Sequence, residues 1–251
     1  MEMYGGSVLA MAGRNAIVVV TDQRFGRGLG LIQAGYERPV WNAYLSSSSS
    51  SQQQQHLPAC PWLLTATGLP SDIQSLQADV QAILQRQESP IPILTSGGQH
   101  NNDHSTTTSI STATTSLISH LLYTQRRYLV KPLLVGFVTN KLNKKHQTDD
   151  SDDDNDDYYQ PYLCTMDTLG ATSVRTDYAA VGSVGLWGAA AAHYQTSSDF
   201  LDDTQALIMA AVTAFFAAVD RDITAGYGAV VHVLHARTNA WESFTVSHRN
   251  D

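Results

Sequence analysis

The sequence predicts an α+β fold arranged as a four-layer αββα sandwich. Three observations lead there. Short Val-rich runs with strand character open and close the chain. Between them, stretches of helical period come in two pairs, so the element order is strands, two helices, strands, two helices, strands. Finally, 206–219 is apolar almost all round, interrupted only by Thr213, so both of its sides need cover. Helices outside two stacked sheets would bury every one of these apolar faces.

Each element has its own local signal. Runs 7–12 and 16–21 flank Gly13-Arg14-Asn15 and read as strand, tight turn, strand. Residues 62–67 form another short strand. From Ser71 the period lengthens: Ile73, Leu76, Val80, Ile83 and Leu84 fall on one helical face, with Ser71 or Asp72 placed to cap it. A second helix is expected over about 106–128, with Ile110, Ala113, Leu117 and Leu121 on its apolar stripe. Its Ser- and Thr-rich first half has low helix propensity. Residues 133–139 are a strand that pairs with 162–167 across an acidic loop. Segments 186–194 and 200–219 are helices, and 229–236 and 241–247 are strands.

Composition narrows the function. A chain of 251 residues, 43% of them hydrophobic and 8% aromatic, can bury one sizeable core. Of the formal net charge of −8, seven units come from the Asp residues between Asp149 and Asp157, which leaves the remainder nearly neutral. Nucleic-acid binding needs concentrated Lys and Arg, so no such partner is expected. Two cysteines, Cys60 and Cys164, without CxxC spacing make no disulfide framework and point to a reducing compartment. The N-terminal residues show no basic region before an apolar run, and the longest apolar stretch falls short of the ~20 residues a bilayer requires. Neither a signal peptide nor a membrane association is expected. Segments at about 45–57, 96–104 and 141–157 are Ser/Gln-rich, polar or charged, and read as surface insertions in a single domain spanning 1–251.

Generic chemical motifs mostly fail. Val181-Gly182-Ser183-Val184-Gly185 lacks the first Gly of a nucleophile elbow. Gly26-Arg27-Gly28-Leu29-Gly30 has neither dinucleotide nor P-loop spacing and reads as a flexible connection. His232 and His235 are three apart on a strand, so they face opposite sides and cannot share a metal. No metal site is expected, and no cofactor.

One set of segments is more specific. Gly5-Gly6-Ser7-Val8-Leu9-Ala10-Met11 is followed by Ala16-Ile17-Val18-Val19-Val20-Thr21-Asp22-Gln23-Arg24. Ala66-Thr67-Gly68-Leu69-Pro70-Ser71-Asp72 leads into the first helix, and Val181-Gly182-Ser183 precedes the third. Val219-Asp220-Arg221-Asp222-Ile223-Thr224-Ala225-Gly226-Tyr227-Gly228 precedes the last strands. In this order and spacing, and across the whole chain apart from the insertions, these blocks resemble beta-type subunits of the 20S proteasome, most closely the third beta type. The resemblance implies the sandwich of the N-terminal-nucleophile hydrolases, in agreement with the element order.

Active members of that family cut peptides with the hydroxyl of an N-terminal Thr, supported by an Asp, a Lys, a Ser and a second Asp. Carried onto this chain, the nucleophile's place falls on Gly6, the Lys place on Arg38, and the other positions on Asp22, Ser183 and Asp222. The Ser that follows the second Asp is Ala225 here. The resemblance therefore implies a degenerate site with no catalytic residue. Asp22 bonding backbone amides or pairing with Arg38, Ser183 capping a helix and Asp222 anchoring a turn through Thr224 are the structural alternatives. The implied function is a non-catalytic structural subunit of a threonine-type endopeptidase complex, acting in ATP- and ubiquitin-dependent protein degradation in cytoplasm and nucleus. Its implied partners are other beta subunits in a seven-membered ring, alpha-ring subunits and the opposite beta ring. Asp167, in Cys164-Thr165-Met166-Asp167-Thr168-Leu169-Gly170, matches a segment that completes a neighbouring subunit's pocket and could favour basic substrates there. Two rival readings stand beside this one. An active hydrolase could use Ser7 after trimming, although Ser7 is one residue out of register along its strand. A free-standing binding module would leave one side of 206–219 exposed.

Overall fold

The computed structural model describes residues 6–27, 30–43, 62–86, 106–125, 127–140, 158–182, 185–222, 224–236 and 241–247. The three insertions at about 45–57, 96–104 and 141–157, and Ser183, lie outside the described residues.

Two five-stranded antiparallel sheets carry the fold. Strands β1 (Val8–Ala12) and β2 (Ala16–Asp22) form the expected hairpin, in register from Val8 opposite Thr21 to Ala12 opposite Ile17. Between β2 and the second sheet lie β3 (Arg24–Arg27) and β4 (Gly30–Ala34), which pair only with each other. Of the expected flexible connection at 26–30, Gly26, Arg27 and Gly30 are instead laddered, with a register shift at Phe25/Gly26, and its other two residues lie outside the described residues. The second sheet contains β5 (Val40–Asn42), β6 (Leu63–Gly68), β7 (Val130–Asn140), β8 (Tyr158–Met166) and β9 (Thr172–Arg175), in that order. Next to β1 in the first sheet stands β10 (Tyr178–Val181), while β11 (Ala229–His235) and β12 (Trp241–Val246) continue it beyond β2.

The helices differ in detail from their sequence signals. Helix α1 (Pro70–Arg86) begins at Pro70, whose missing N–H costs nothing in a first turn. The Leu69 carbonyl accepts from the amides of Asp72 and Ile73, so neither Ser71 nor Asp72 is the cap. The Asp72 carboxylate instead accepts from the Leu129 amide at 2.8 Å. Helix α2 (Thr106–Gln125) ends before the expected 128 and buries Ser111, Thr114, Thr115, Ile118, Leu121 and Leu122. Ala113 and Leu117 are only half-buried. The stripe is thus rotated by about one residue towards hydroxyl side chains, which tolerate burial once bonded; Thr115 and the Tyr162 hydroxyl meet at 2.9 Å. The expected helix 200–219 is broken into α4 (Ser198–Asp202) and α5 (Thr204–Val219). Asp203 between them is extended, and its carboxylate caps α5 by accepting from the Gln205 amide.

Three apolar clusters show which faces meet. Leu9, Met11, Val18, Val20, Val231 and Val233 of the first sheet pack against α5 and α3 (Leu186–His193), through Phe215, Ala211 and Ala190. Trp62, Leu64 and Leu134 of the second sheet pack against Ile73, Leu76 and Val80 of α1 and Ile118 and Leu122 of α2. The alternate residues of both sheets, among them Val8, Ala10, Ile17 and Val19 with Leu63, Leu133 and Leu163, share a third cluster. Gly136 leaves room for one of the largest buried side chains, since a Cβ there would meet the Trp62 ring at 2.6 Å. Among the described residues only one side of α5 is covered: Met209 is 64% exposed on the other, against the expectation of cover all round.

Candidate functional site

The open end of the first hairpin gathers the residues that the family pattern marks. The Asp22 amide donates to the Ser7 carbonyl at 3.1 Å, which holds the end of β2 beside the start of β1 and places Asp22 next to Gly6 in the chain path. Arg38 arrives from the segment between β4 and β5. Its Nε donates to Asp22 Oδ1 at 2.5 Å, and the two side chains are 1% and 0% exposed. A second guanidinium nitrogen donates to the Arg24 carbonyl at 3.3 Å. Burial lifts the Asp22 carboxyl above the ordinary carboxylate range, while the neighbouring Arg38 charge and its hydrogen bond work against that lift.

Gly6 completes the arrangement. Its φ of +149° is a conformation that L side chains rarely adopt, and a Cβ built on it would fall inside the Arg38 guanidinium. Gly182, with φ +105°, lies so close that its own Cβ would collide with the Gly6 carbonyl. At residue 6 the side-chain space is taken by the Arg38 guanidinium, and at residue 182 by the Gly6 backbone. Ser7 is buried, and among the described residues its Oγ has no hydrogen-bond partner.

The second half of the marked set is joined to this pair through Arg24. Arg24 Nη1 donates to the Thr224 carbonyl at 2.8 Å. Asp222 Oδ1 accepts from the Thr224 amide at 2.8 Å and from its hydroxyl at 2.6 Å, and the Asp222 carbonyl accepts from the Ala225 amide. Asp222 is thus the turn anchor that one sequence alternative described. Ala225 packs against the cluster on the helix side of the first sheet. Asp167 stands apart, on the second sheet between β8 and β9. It is exposed, and its Oδ1 accepts from the amides of Leu169 and Ala171, at 2.9 and 2.8 Å.

Chemically, the Gly6, Asp22 and Arg38 group has no nucleophile. A guanidinium stays protonated at working pH and cannot serve as a base, and Asp22 is occupied by it. What the geometry provides is a buried ion pair that ties the hairpin to the β4–β5 segment.

Comparison with known proteins places this geometry in context. No family model matches the chain. It is 26% identical over 240 residues to proteasome subunit beta type-3-B of Arabidopsis thaliana, covering 93% of this chain and 91% of that protein. Proteasome subunit beta type-3-A of the same plant is 25% identical over 240 residues, with the same coverage. Proteasome subunit beta type-3 of Picea mariana is 23% identical over 237 residues, again covering 93% and 91%. This chain is similar to proteasome beta type-3 subunits. The recognition drawn from the sequence blocks stands, with the likeness covering 93% of the chain.

Several contributors to this site were not singled out as such from sequence. Arg24 lies two residues after Asp22 and is buried, and it links the pair to the Asp222 turn. Tyr36 stacks near Phe25 at 5.3 Å, with the Arg38 guanidinium 6.0 Å from its ring, and burial raises its hydroxyl pKa. The available signal was the density of Arg and Tyr around Asp22, which has many uses in a chain this long. Away from the site, His232 is buried against Trp241, and burial pushes its imidazole down to about 4. His235 approaches Glu242 on the other face of the strand, so the two His residues are separated as expected. Among the described residues, no helix is long and apolar enough to cross a membrane.

Proposed function

We propose that this chain is a non-catalytic structural subunit of the 20S proteasome core, in the position of the third beta type. The fold would be the four-layer αββα sandwich of the N-terminal-nucleophile hydrolases. The observation that carries this reading is Gly6: the nucleophile's place has no side chain, and the Arg38 guanidinium stands where one would go. Similarity to beta type-3 subunits over 93% of the chain supports the same conclusion. On this reading the chain occupies a seven-membered beta ring, contacts an alpha ring and the opposite beta ring, and serves ATP- and ubiquitin-dependent degradation in cytoplasm and nucleus. It contributes architecture to a threonine-type endopeptidase complex and cuts no bond itself.

The neighbour-facing role of Asp167 belongs to the same proposal. Its turn engages Oδ1, and its exposure leaves the carboxylate able to meet a Lys or Arg of a substrate held by an adjacent subunit. Asp167→Asn in the assembled particle should raise KM for cleavage after basic residues alone. A uniform response across basic, apolar and acidic substrates would leave Asp167 as a turn residue only.

Native mass spectrometry of a tagged chain purified from cells tests the main reading. A multi-subunit cylinder containing this chain, with no covalent labelling of it by a Thr-directed inhibitor, is the expected result. A free chain, or an N-terminus trimmed to Ser7 that takes up the label, would overturn it.

A further inference from the structure

We propose that Gly6 and Arg38 are one coupled unit, in which the guanidinium fills the side-chain space at residue 6 and plugs the vacated cleft from within. The inference rests on the reading of Gly6 as the nucleophile's place and adds a physical reason for the side chain's absence. Restoring a side chain at residue 6 would not reopen a site; it would expel a buried charge.

The argument turns on what a Cβ at Gly6 would meet. All three nearest atoms belong to the Arg38 guanidinium, at distances that no real Cβ contact tolerates. The tip of a long side chain usually moves aside at little cost. This one cannot swing freely, because Arg38 is buried, its Nε is bonded to Asp22, and it also donates to the Arg24 carbonyl. Displacing it would strip a fully buried carboxylate of its hydrogen-bonded counter-charge, leaving only the weaker influence of Arg24 and no bulk water to replace it. A lysine in place of Arg38 would keep the positive charge near Asp22 but present one nitrogen in place of a planar fork. It would therefore leave more room at residue 6.

A double-mutant cycle on the full chain tests this. Gly6→Ala, Arg38→Lys and the double variant are compared with the natural sequence by urea unfolding followed through tryptophan fluorescence. The positive φ at Gly6 penalises Ala in any background, so the decisive quantity is the difference between backgrounds. The expected result is that Gly6→Ala lowers the folding equilibrium constant at least about fivefold more with Arg38 present than with Arg38→Lys, a coupling in the range seen for residues in contact. If Gly6→Ala alone fails to fold, recovery of folding in the double variant is the same result in stronger form. Equal penalties in the two backgrounds would overturn the proposal. So would failure of the double variant while Arg38→Lys alone folds, because the backbone at residue 6 would then account for the whole effect. Neither result changes whether the natural chain takes up a Thr-directed label in the particle, so the cycle and the proposed function can fail separately.

Discussion

Replacing Arg38 by methionine removes the guanidinium from the Asp22 pair while keeping most of the side-chain volume. Asp22 is then a carboxylate with no exposure and without its hydrogen-bonded partner, with only the more distant charge of Arg24 acting on it. Stranding one member of a buried pair costs about 3–5 kcal/mol, which is a large share of a typical domain's stability. The pH dependence has a definite sign. Burial already raises the folded-state pKa of Asp22 above its unfolded value, and Arg38 opposes that rise. Without Arg38 the folded pKa climbs further, so the folded state binds its proton more tightly than the unfolded chain does. The stability deficit is therefore full at neutral pH and shrinks as pH falls towards the unfolded value of about 3.9. Urea unfolding at pH 7.5 and pH 5, with Arg38→Met compared against the natural chain, reads this directly. Adding Asp22→Asn to Arg38→Met should return much of the loss, because no buried carboxylate then remains to be stranded. A deficit under about 1 kcal/mol, or one equal at the two pH values, would refute the buried-pair reasoning.

Three further outcomes are expected. His232 is held neutral by burial, with a folded pKa of about 4 against 6.5, so stability present above pH 6.5 is lost as pH falls through that window, by about 2 kcal/mol at pH 5; His232→Phe should flatten this slope in a pH series of melts. Gly182→Ala should cost at least about 2 kcal/mol, since φ is +105° and the new Cβ meets backbone at Gly6. Gly188→Ala, in the middle of α3 with nothing in its way, should stabilise by about 1 kcal/mol, and calorimetry separates the two. Phe215→Ala, fully buried under the first sheet, should cost about 3–5 kcal/mol. By contrast, Met209→Ala, largely exposed on the same helix, should stay within about 0.5 kcal/mol in the free chain by chemical denaturation.

By itself the sequence determined the class of the fold and the chemistry that residue 6 cannot perform. The continuous apolar runs of the β1–β2 hairpin and the 3.6-residue spacing of Ile73, Leu76 and Val80 are local signals, because each residue's face follows from its own neighbours in the chain. That residue 6 is a glycine with no side chain is likewise legible, since a missing side chain needs no structure to be noticed. Other features depended on partners distant in sequence. The face of α2 was misjudged because Ser111, Thr114 and Thr115 look like solvent residues until an acceptor such as the Tyr162 hydroxyl is brought to them. The break at Asp203 was hidden by the apolar run around it, although Asp before Thr204 is a competent cap. Whether α5 is covered on one side or both is a matter of how many elements surround it, which no helical period encodes. The coupling at Gly6 was the least legible of all. Arg38 is distant along the chain and carries an ordinary surface residue's identity. Only when the β3–β4 hairpin returns the chain to the start of β1 does its guanidinium lie in the volume that glycine leaves open.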